Sequence, residues 1–339
     1  MTSPVPSRLG AAVRAVARSR LWRTVLVLAL LLAGLGGWWL SAGGPPGGPR
    51  GEARFATGVP SGVYDRYGQM LQEHVSRAMP GLRLALDGSE GSVDNLERVA
   101  RGQDDFAIAT ADAVADYSGP NKGRLRAIAR LYDDYLQLIV PADSPVGRVA
   151  DLKGKRVGVG LGQSGVNLVT KRLLTAAGLD PDHDIKPQNI GIMDSATMLR
   201  DGRLDAFFWS GGLPTSALTD LSSHMAIKVV PLSDLSEALH KAEGGGTDAY
   251  RAATMPKGTY PDAVPSDAVA TVAVPNLLIT RADVDQDLVE GMTKAVIDSR
   301  DQIGSKVHAA QLVDLRTAVY TDPLPLHTGA SRYYQSVKP

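Results

Sequence analysis

The sequence predicts an α/β protein of two similar lobes joined by hinge strands and preceded by a membrane-spanning helix. Three observations carry this expectation. From Glu52 onward, short apolar strands alternate with amphipathic helices, the pattern of α/β sheets. One signature occurs twice: strand, turn ending Ser-Gly, helix, strand, second helix, then Gly-x-x-Asp before a closing strand. The first copy has Ser61-Gly62 and Gly102-Gln-Asp-Asp105, the second Ser164-Gly165 and Gly202-Arg-Leu-Asp205. Two long apolar runs, residues 135–140 and 272–280, read as crossings between the lobes.

Composition narrows the chemistry. Thirty-six basic and 36 acidic residues give a net charge of +0 over 339 residues, so bulk charge points to no nucleic-acid partner. With Cys 0, disulfides, thiol catalysis, cysteine metal sites and a lipid anchor on a processed cysteine are all excluded. Any membrane attachment must come from a helix of the chain itself.

Residues 24–42 supply a candidate. The run carries no charge, and at ~1.5 Å per residue it spans most of a ~30 Å hydrocarbon core. Arg8, Arg14, Arg18, Arg20 and Arg23 precede it, and no acid occurs before Glu52. Residues 1–23 are therefore expected in the cytoplasm and everything after the helix outside, in a single-pass cell-membrane protein. Trp38 and Trp39 fall at the interface. A cleaved signal peptide, processed near Ser41 to Gly43, is the competing reading. Residues 43–51 (GGPPGGPRG) are a flexible linker.

The first lobe is expected over 52–139 plus 276–339. A strand runs into Gly58-Val-Pro-Ser61-Gly62. A helix over 65–78 follows, with Tyr67, Leu71, Val75 and Ala78 on one face. A strand at 82–86, the turn Gly88 to Ser92, a helix with Val93, Leu96 and Ala100, and a strand at 106–110 complete it. A helix over 284–303, with Val284, Leu288, Met292, Ala295 and Ile303 on one stripe, is placed back on this lobe. The second lobe, 140–275, has strands at 156–159, 185–192 and 206–209. Its helices carry Val166, Val169, Leu173 and Ala177, then residues 195–199. Pro275 inside its run argues for an edge or interlobe strand there.

Several motifs imitate enzymes. Gly160-x-Gly162-x-x-Gly165 follows a strand and opens a helix, as a dinucleotide fingerprint does, but the acid that should close the next strand is missing. The turn keeps its attraction for an anion through free amides and a helix N-terminus. Asp180, Asp182 and Asp184 begin like a calcium loop, yet Ile185 and Gly191 occupy the positions that need Gly and Glu. Val166 replaces the last glycine of a nucleophile elbow. The histidines show no metal-ligand spacing. No catalytic residue, metal or cofactor is expected. The candidate ligand-binding residues are those of the strand-end turns: Thr57, Gly62 and Tyr64; Ser89, Glu90, Gly91, Ser92 and Asn95; Gln163, Ser164, Gly165 and Asn167; Trp209 and Ser210.

At these residues the chain resembles the TAXI family of TRAP-transporter solute receptors. The resemblance rests on Ala56-Thr57-Gly58, Gly62-Val63-Tyr64-Asp65, Glu90-Gly91-Ser92-Val93-Asp94-Asn95-Leu96 and Asp205-Ala-Phe-Phe-Trp209-Ser-Gly-Gly212. Gly258-Thr-Tyr-Pro261, Val272-Ala-Val-Pro275 and Pro325-Leu-His327 extend it over almost everything after the linker. It implies a two-lobe periplasmic-binding-protein-like fold (type II), an ion-coupled membrane permease as partner, and ligands such as glutamate, glutamine or small carboxylates. Asp65, Glu90 and Val166-Asn167 depart from the family pattern. Glu90 is expected to face the ligand and favour one bearing an amino group. A binding protein of the same fold reporting to a membrane sensor is the alternative, and a nicotinamide-dependent dehydrogenase a distant one.

Overall fold

The computed structural model describes residues 48–241, 246–264, 267–305, 307, 311 and 313–337. The basic segment at 1–23, the anchor at 24–42 and most of the linker at 43–51 lie outside the described residues. Among the described residues no helix is long and apolar enough to cross a membrane.

Eleven described strands form a single mixed sheet. In its first half β1 (Gly51–Ala56) lies parallel to β2 (Leu82–Asp87) and β3 (Phe106–Thr110). In its second half β5 (Arg156–Gly158) lies parallel to β6 (Lys186–Gln188) and β7 (Ala206–Gly211). Antiparallel β4 (Leu125–Pro141) and β11 (Val269–Arg281) run through both halves and join them. The sheet order is β2-β1-β3-β11-β4-β7-β5-β6, with β8 (Ile227–Val230) against β4, β9 (Arg251–Met255) against β11 and β10 (Ala263–Val264) against β8.

The two expected crossings are longer than the apolar runs that marked them. β4 begins ten residues before Tyr135, because Arg126, Arg130, Asp133 and Asp134 interrupt the apolar pattern without breaking the strand. Pro275 lies in the strand that joins the halves, the interlobe one of its two expected places, and not at an edge. On one side β11 changes partner around it, its pairing with β9 ending at Ala273 and its pairing with β3 beginning at Asn276. On the other side a register shift follows Pro275 in its pairing with β4. The missing N–H falls where the ladder is already interrupted.

Alternating residues of the strands feed opposite faces. In the first half, Phe55, Ile108 and Leu278 pack with Tyr67 and Leu71 of α1 (Val63–Ala78). On the other face, Ala107, Leu277 and Ile279 pack with Leu96 and Val99 of α2 (Ser92–Arg101) and Val114 of α3 (Ala111–Asp116). The second half has its own core. There Val157, Phe207 and Val272 meet Val169 and Leu173 of α4 (Gly165–Ala176) and Leu199 of α5 (Ile192–Arg200). Leu218 of α6 (Ser216–His224) and Leu239 of α7 (Ser236–Lys241) complete that cluster.

Three expected elements differ. The strand at 185–192 is only β6, an edge strand carrying Pro187; Gly191 then caps α5, which starts at Ile192. The helix at 284–303 divides at Ser299 into α8 (Gln286–Asp298) and α9 (Arg300–Gly304), with Val289 rather than Leu288 buried. It does return to the first core, where Met292, Ala295 and Ile303 pack with α1 and with Ala330 of α10 (Thr328–Ser336). At the end of α1, Ala78 is exposed and Met79 fills the core in its place.

The repeated Gly-x-x-Asp signature has a geometric meaning. Gly102 and Gly202 take φ of 75° and 69° just past α2 and α5, a left-handed turn that favours glycine. Each turn delivers an aspartate to the strand beginning its half. Asp105 Oδ2 accepts the Arg54 N–H at 3.0 Å, and Asp205 Oδ2 accepts the Arg156 N–H at 2.7 Å.

Candidate functional site

The carboxyl ends of β1, β3, β5 and β7 point at one place, where the two halves meet. In open α/β sheets this is where ligands bind. A cavity of about 60 Å³ lies there, room for a handful of waters at ~10–15 Å³ each, or one small solute. Residues from both halves line it, including Gly58, Tyr64, Ser92 and Thr110 from the first and Gly160, Ser164, Ile192 and Trp209 from the second.

Four helices of eight or more residues begin at this cavity. Their N-cap residues Gly62, Gly91, Ser164 and Gly191 all line it. First-turn amides have no partner within their own helix, and a helix N-terminus carries about +0.5 of an elementary charge. Glycine caps offer no side-chain acceptor of their own, whereas Ser164 Oγ accepts the Asn167 N–H at 3.1 Å. The cavity thus presents helix N-termini to negative charge, and among the described residues no lysine or arginine lines it.

Its floor is polar. Tyr64 donates its hydroxyl to Asn276 Oδ1 and lies 3.1 Å from Ser92 Oγ, which accepts the Thr110 N–H at 3.2 Å. Burial, with Asp134 nearby, pushes the Tyr64 phenol well above its usual range, so it stays a neutral donor. Asp134 sits on β4 between the halves, 3% exposed. Its Oδ2 accepts from Ser210 Oγ at 3.4 Å. Burial pushes the Asp134 carboxyl up to about 7; the neighbouring Asn276 and Ser210 side chains ease this, while Asp133 and Asp112 add to it. The Asn276 amide falls short of hydrogen-bond geometry. Asp134 Oδ1, Asn276 Nδ2 and Thr110 Oγ1 are all buried with no hydrogen-bond partner. Buried polar atoms are seldom left so, and each one here calls for an explanation.

Of the residues singled out in the sequence, Gly62, Tyr64, Glu90, Gly91, Ser92, Ser164, Gly165, Trp209 and Ser210 line the cavity. The others hold its turns. Thr57 Oγ1 donates to the Asp87 carbonyl, and Ser89 Oγ donates to Asn95 Oδ1. Asn95, fully buried, donates to the Thr57 and Ile108 carbonyls at 2.8 Å each. Asn167 Nδ2 donates to the Val159 carbonyl. Gln163 gives its N–H to Glu90 and its carbonyl to the Asp94 N–H. Among the departures from the family pattern, Asp65 turns away from the cavity to the Ser61 N–H and Gln69. Glu90 stands at the rim, exposed, with Oε2 on the Gln163 N–H at 2.8 Å.

Sequence reasoning missed Thr110, Asp134, Ser195, Phe208 and the adjoining Asn276. Two of these left a trace. Asp134 is an acid inside a strand that continues apolar on both sides, and Asn276 directly follows the proline in β11.

The halves touch across the cavity mouth through glycines. A Cβ on Gly165 would come within 2.9 Å of Ser92 Oγ, and one on Gly91 within 3.4 Å of the Ser164 Cα. A second bridge lies between α3 and α4. Arg172 pairs with Asp116 at 2.5 Å and with Asp112 at 3.6 Å, while the Tyr250 hydroxyl donates to Asp112 Oδ2 at 2.7 Å. The acidic loop at 180–184 is already partnered: Asp180 accepts the Asp182 and His183 N–H groups, and Asp184 accepts that of Asp180 and pairs with Lys153 at 2.9 Å. Among the described residues no cluster could hold a metal ion.

A mixed sheet flanked by helices, with a solute-sized cavity at the strand ends, is the fold of the periplasmic-binding-protein-like class. The chain belongs to the NMT1-like family, whose model matches residues 55–337. Among similar solved structures is the periplasmic aliphatic sulphonate binding protein SsuA from Escherichia coli, 16% identical, with a TM-score of 0.43 over 86% of this chain and 84% of that one. The alkanesulfonate-binding protein SsuA from Xanthomonas axonopodis pv. citri, bound to MOPS, is 16% identical with a TM-score of 0.47 over 86% of each chain. The probable amino-acid ABC transporter extracellular-binding protein ytmK from Bacillus subtilis is 15% identical, with a TM-score of 0.47 over 78% of this chain and 100% of that one.

Proposed function

We propose that the chain is an extracytoplasmic solute receptor that captures a small polar solute and delivers it to an ion-coupled TRAP permease. The solute classes are an amino acid such as glutamate or glutamine, or a small carboxylate. The observation that carries this reading is the cavity at which four helix N-termini from both halves of the sheet meet over a buried polar floor. The permease partner and the TAXI assignment within the wider family rest on the motifs at 56–65, 90–96, 205–212 and 272–275. The apolar segment at 24–42, with arginines before it, supports tethering to the cell membrane with the N-terminus inside and the binding domain outside. In this reading residues 52–139 plus 276–339 close against 140–275 about β4 and β11.

A thermal-shift screen of the full chain against amino acids and small carboxylates tests it. A solute at ~100 times its Kd adds about 2.7 kcal/mol of stability. A saturable rise in Tm for one chemically coherent group supports the receptor, and a flat screen counts against it.

A further inference from the structure

Among the described residues Asp134 is the one carboxylate in the depth of the cavity, and no positively charged side chain lines the cavity with it. Glu90, the second acid lining the cavity, is at the rim and engaged by the Gln163 N–H. Among the described residues no lysine or arginine lines the cavity, and Arg172 is engaged with Asp112 and Asp116. Asp134 keeps one oxygen without a hydrogen-bond partner although the residue is 3% exposed. An isolated buried carboxylate is costly unless something positive pairs with it. Opposite it lie the helix N-termini, which suit an anionic group.

We infer that Asp134 anchors a positively charged group of the solute, so that the cavity selects a compact zwitterion, its ammonium on Asp134 and its carboxylate toward the helix N-termini. This rests on the receptor reading and narrows its solute class. A plain dicarboxylate of the same length would bring a second negative charge against Asp134 in a space with no basic side chain. It is disfavoured for that reason. The role expected of Glu90 from the sequence passes to a residue on the strand that joins the two halves.

The pairing has a pH signature. Asp112, Asp133 and the rim Glu90 are the other acids near Asp134, Asp133 being paired with Arg130. Tyr64 and Tyr132 face it as phenols held above their usual range, and Ser210 and Asn276 are uncharged. Asp134 is therefore the group on this floor that titrates near neutral pH. Binding an ammonium there expels its proton, and affinity falls about tenfold for each pH unit below about 7.

The experiment uses the full chain and paired probes: each amino acid against its deamino counterpart, such as glutamate with glutarate and alanine with propionate. Thermal shift at pH 8 comes first. Calorimetry of the best pair follows, on the unmodified chain and on Asp134→Asn. Expected are stabilisation confined to amine-bearing members, about a hundredfold weaker binding by Asp134→Asn, and proton release near pH 7 that this variant lacks. A deamino member that binds as tightly as its amine, or an Asp134→Asn affinity within about threefold of the original, overturns the proposal. Silence from both series overturns the receptor reading itself, and this proposal with it.

Discussion

Asp105 in the first half of the sheet and Asp205 in the second accept the N–H of the strand that opens their own half. Both are delivered there by a glycine with positive φ at the end of a helix. The halves share this construction and then present the cavity with different surfaces. The first half contributes Tyr64, Ser92 and Thr110, joined by Asp134 on β4, with Asn276 of β11 behind Tyr64. The second contributes Val166, Ile190, Ile192, Phe208 and Trp209, with Ser164, Ser195 and Ser210 among them. One framework thus carries a hydrogen-bonding wall and a mainly apolar wall. A solute with polar ends and a short carbon stem satisfies both only when the halves are together.

The largest effect is expected at the bridge between the halves. Arg172, 10% exposed, holds two acids of α3, and removing one partner of a buried ionic cluster costs about 3–5 kcal/mol. Arg172→Met should lower stability by that order in chemical denaturation. It should also enlarge the radius of gyration in small-angle scattering, as the second half loses its hold on Asp112 and Asp116. An unchanged radius would mean that the contacts at the cavity mouth, at Gly91 and Gly165 and from Gln163 to Glu90 and Asp94, suffice to keep the halves together.

Asp134 gives the next effect, with the opposite sign. Its carboxyl is raised from 3.8 to about 7, so the folded chain retains a proton that the unfolded chain releases. Its contribution to stability is fully present below about pH 4 and is lost as pH rises toward about 7. At ~1.4 kcal/mol per pKa unit the loss approaches ~4 kcal/mol. Asp134→Asn, measured without solute, should therefore gain stability over the unmodified chain from pH 4 to pH 7, and the gain should level off above that. A pH-independent difference would show that the carboxylate is not desolvated. In the zwitterion reading the cost of Asp134 to the empty fold is recovered when the solute's ammonium pairs with it, a trade common at binding sites.

The smallest effect separates the two clasps. Asp205 holds Arg156 through both the strand N–H and the guanidinium, at 2.6 and 3.2 Å. Asp105 has its strand N–H and a more distant Arg281 at 3.8 Å. Asp205→Ala should cost about 1–2 kcal/mol and Asp105→Ala less. Arg156 holds the Asp205 carboxyl below its usual range. The contribution of Asp205 is thus present above about pH 4 and lost as pH falls through its lowered value. Equal costs for the two would remove the asymmetry.

Much of this framework was legible before the structure. Strand β3 lies where its apolar run placed it, and the Gly-x-x-Asp repeat marked equivalent turns, because a left-handed turn and a capping carboxylate need particular residues. The cavity was half legible. Turn residues such as Ser92, Ser164 and Gly165 announce themselves locally. Thr57, Asn95 and Asn167 look the same in sequence but spend their polar groups on carbonyls of neighbouring strands and turns. Asp134 and Asn276 were hidden because their importance comes from strand pairing between residues far apart in the chain. Val274 lies opposite Asp134 and Asn276 opposite Thr110 only once β4, β11 and β3 are side by side.

Trp209 offers the most direct test of whether a solute is captured between the two walls. The other tryptophans, Trp22, Trp38 and Trp39, precede the family-matched region. With these three replaced by Phe, emission comes from a side chain that lines the cavity and donates to Thr215 Oγ1 at 3.1 Å. Titration with the compound that most raises Tm should change Trp209 emission saturably, with the same midpoint as calorimetry. A compound that stabilises the chain while leaving Trp209 emission unchanged would place its binding elsewhere and contradict the account.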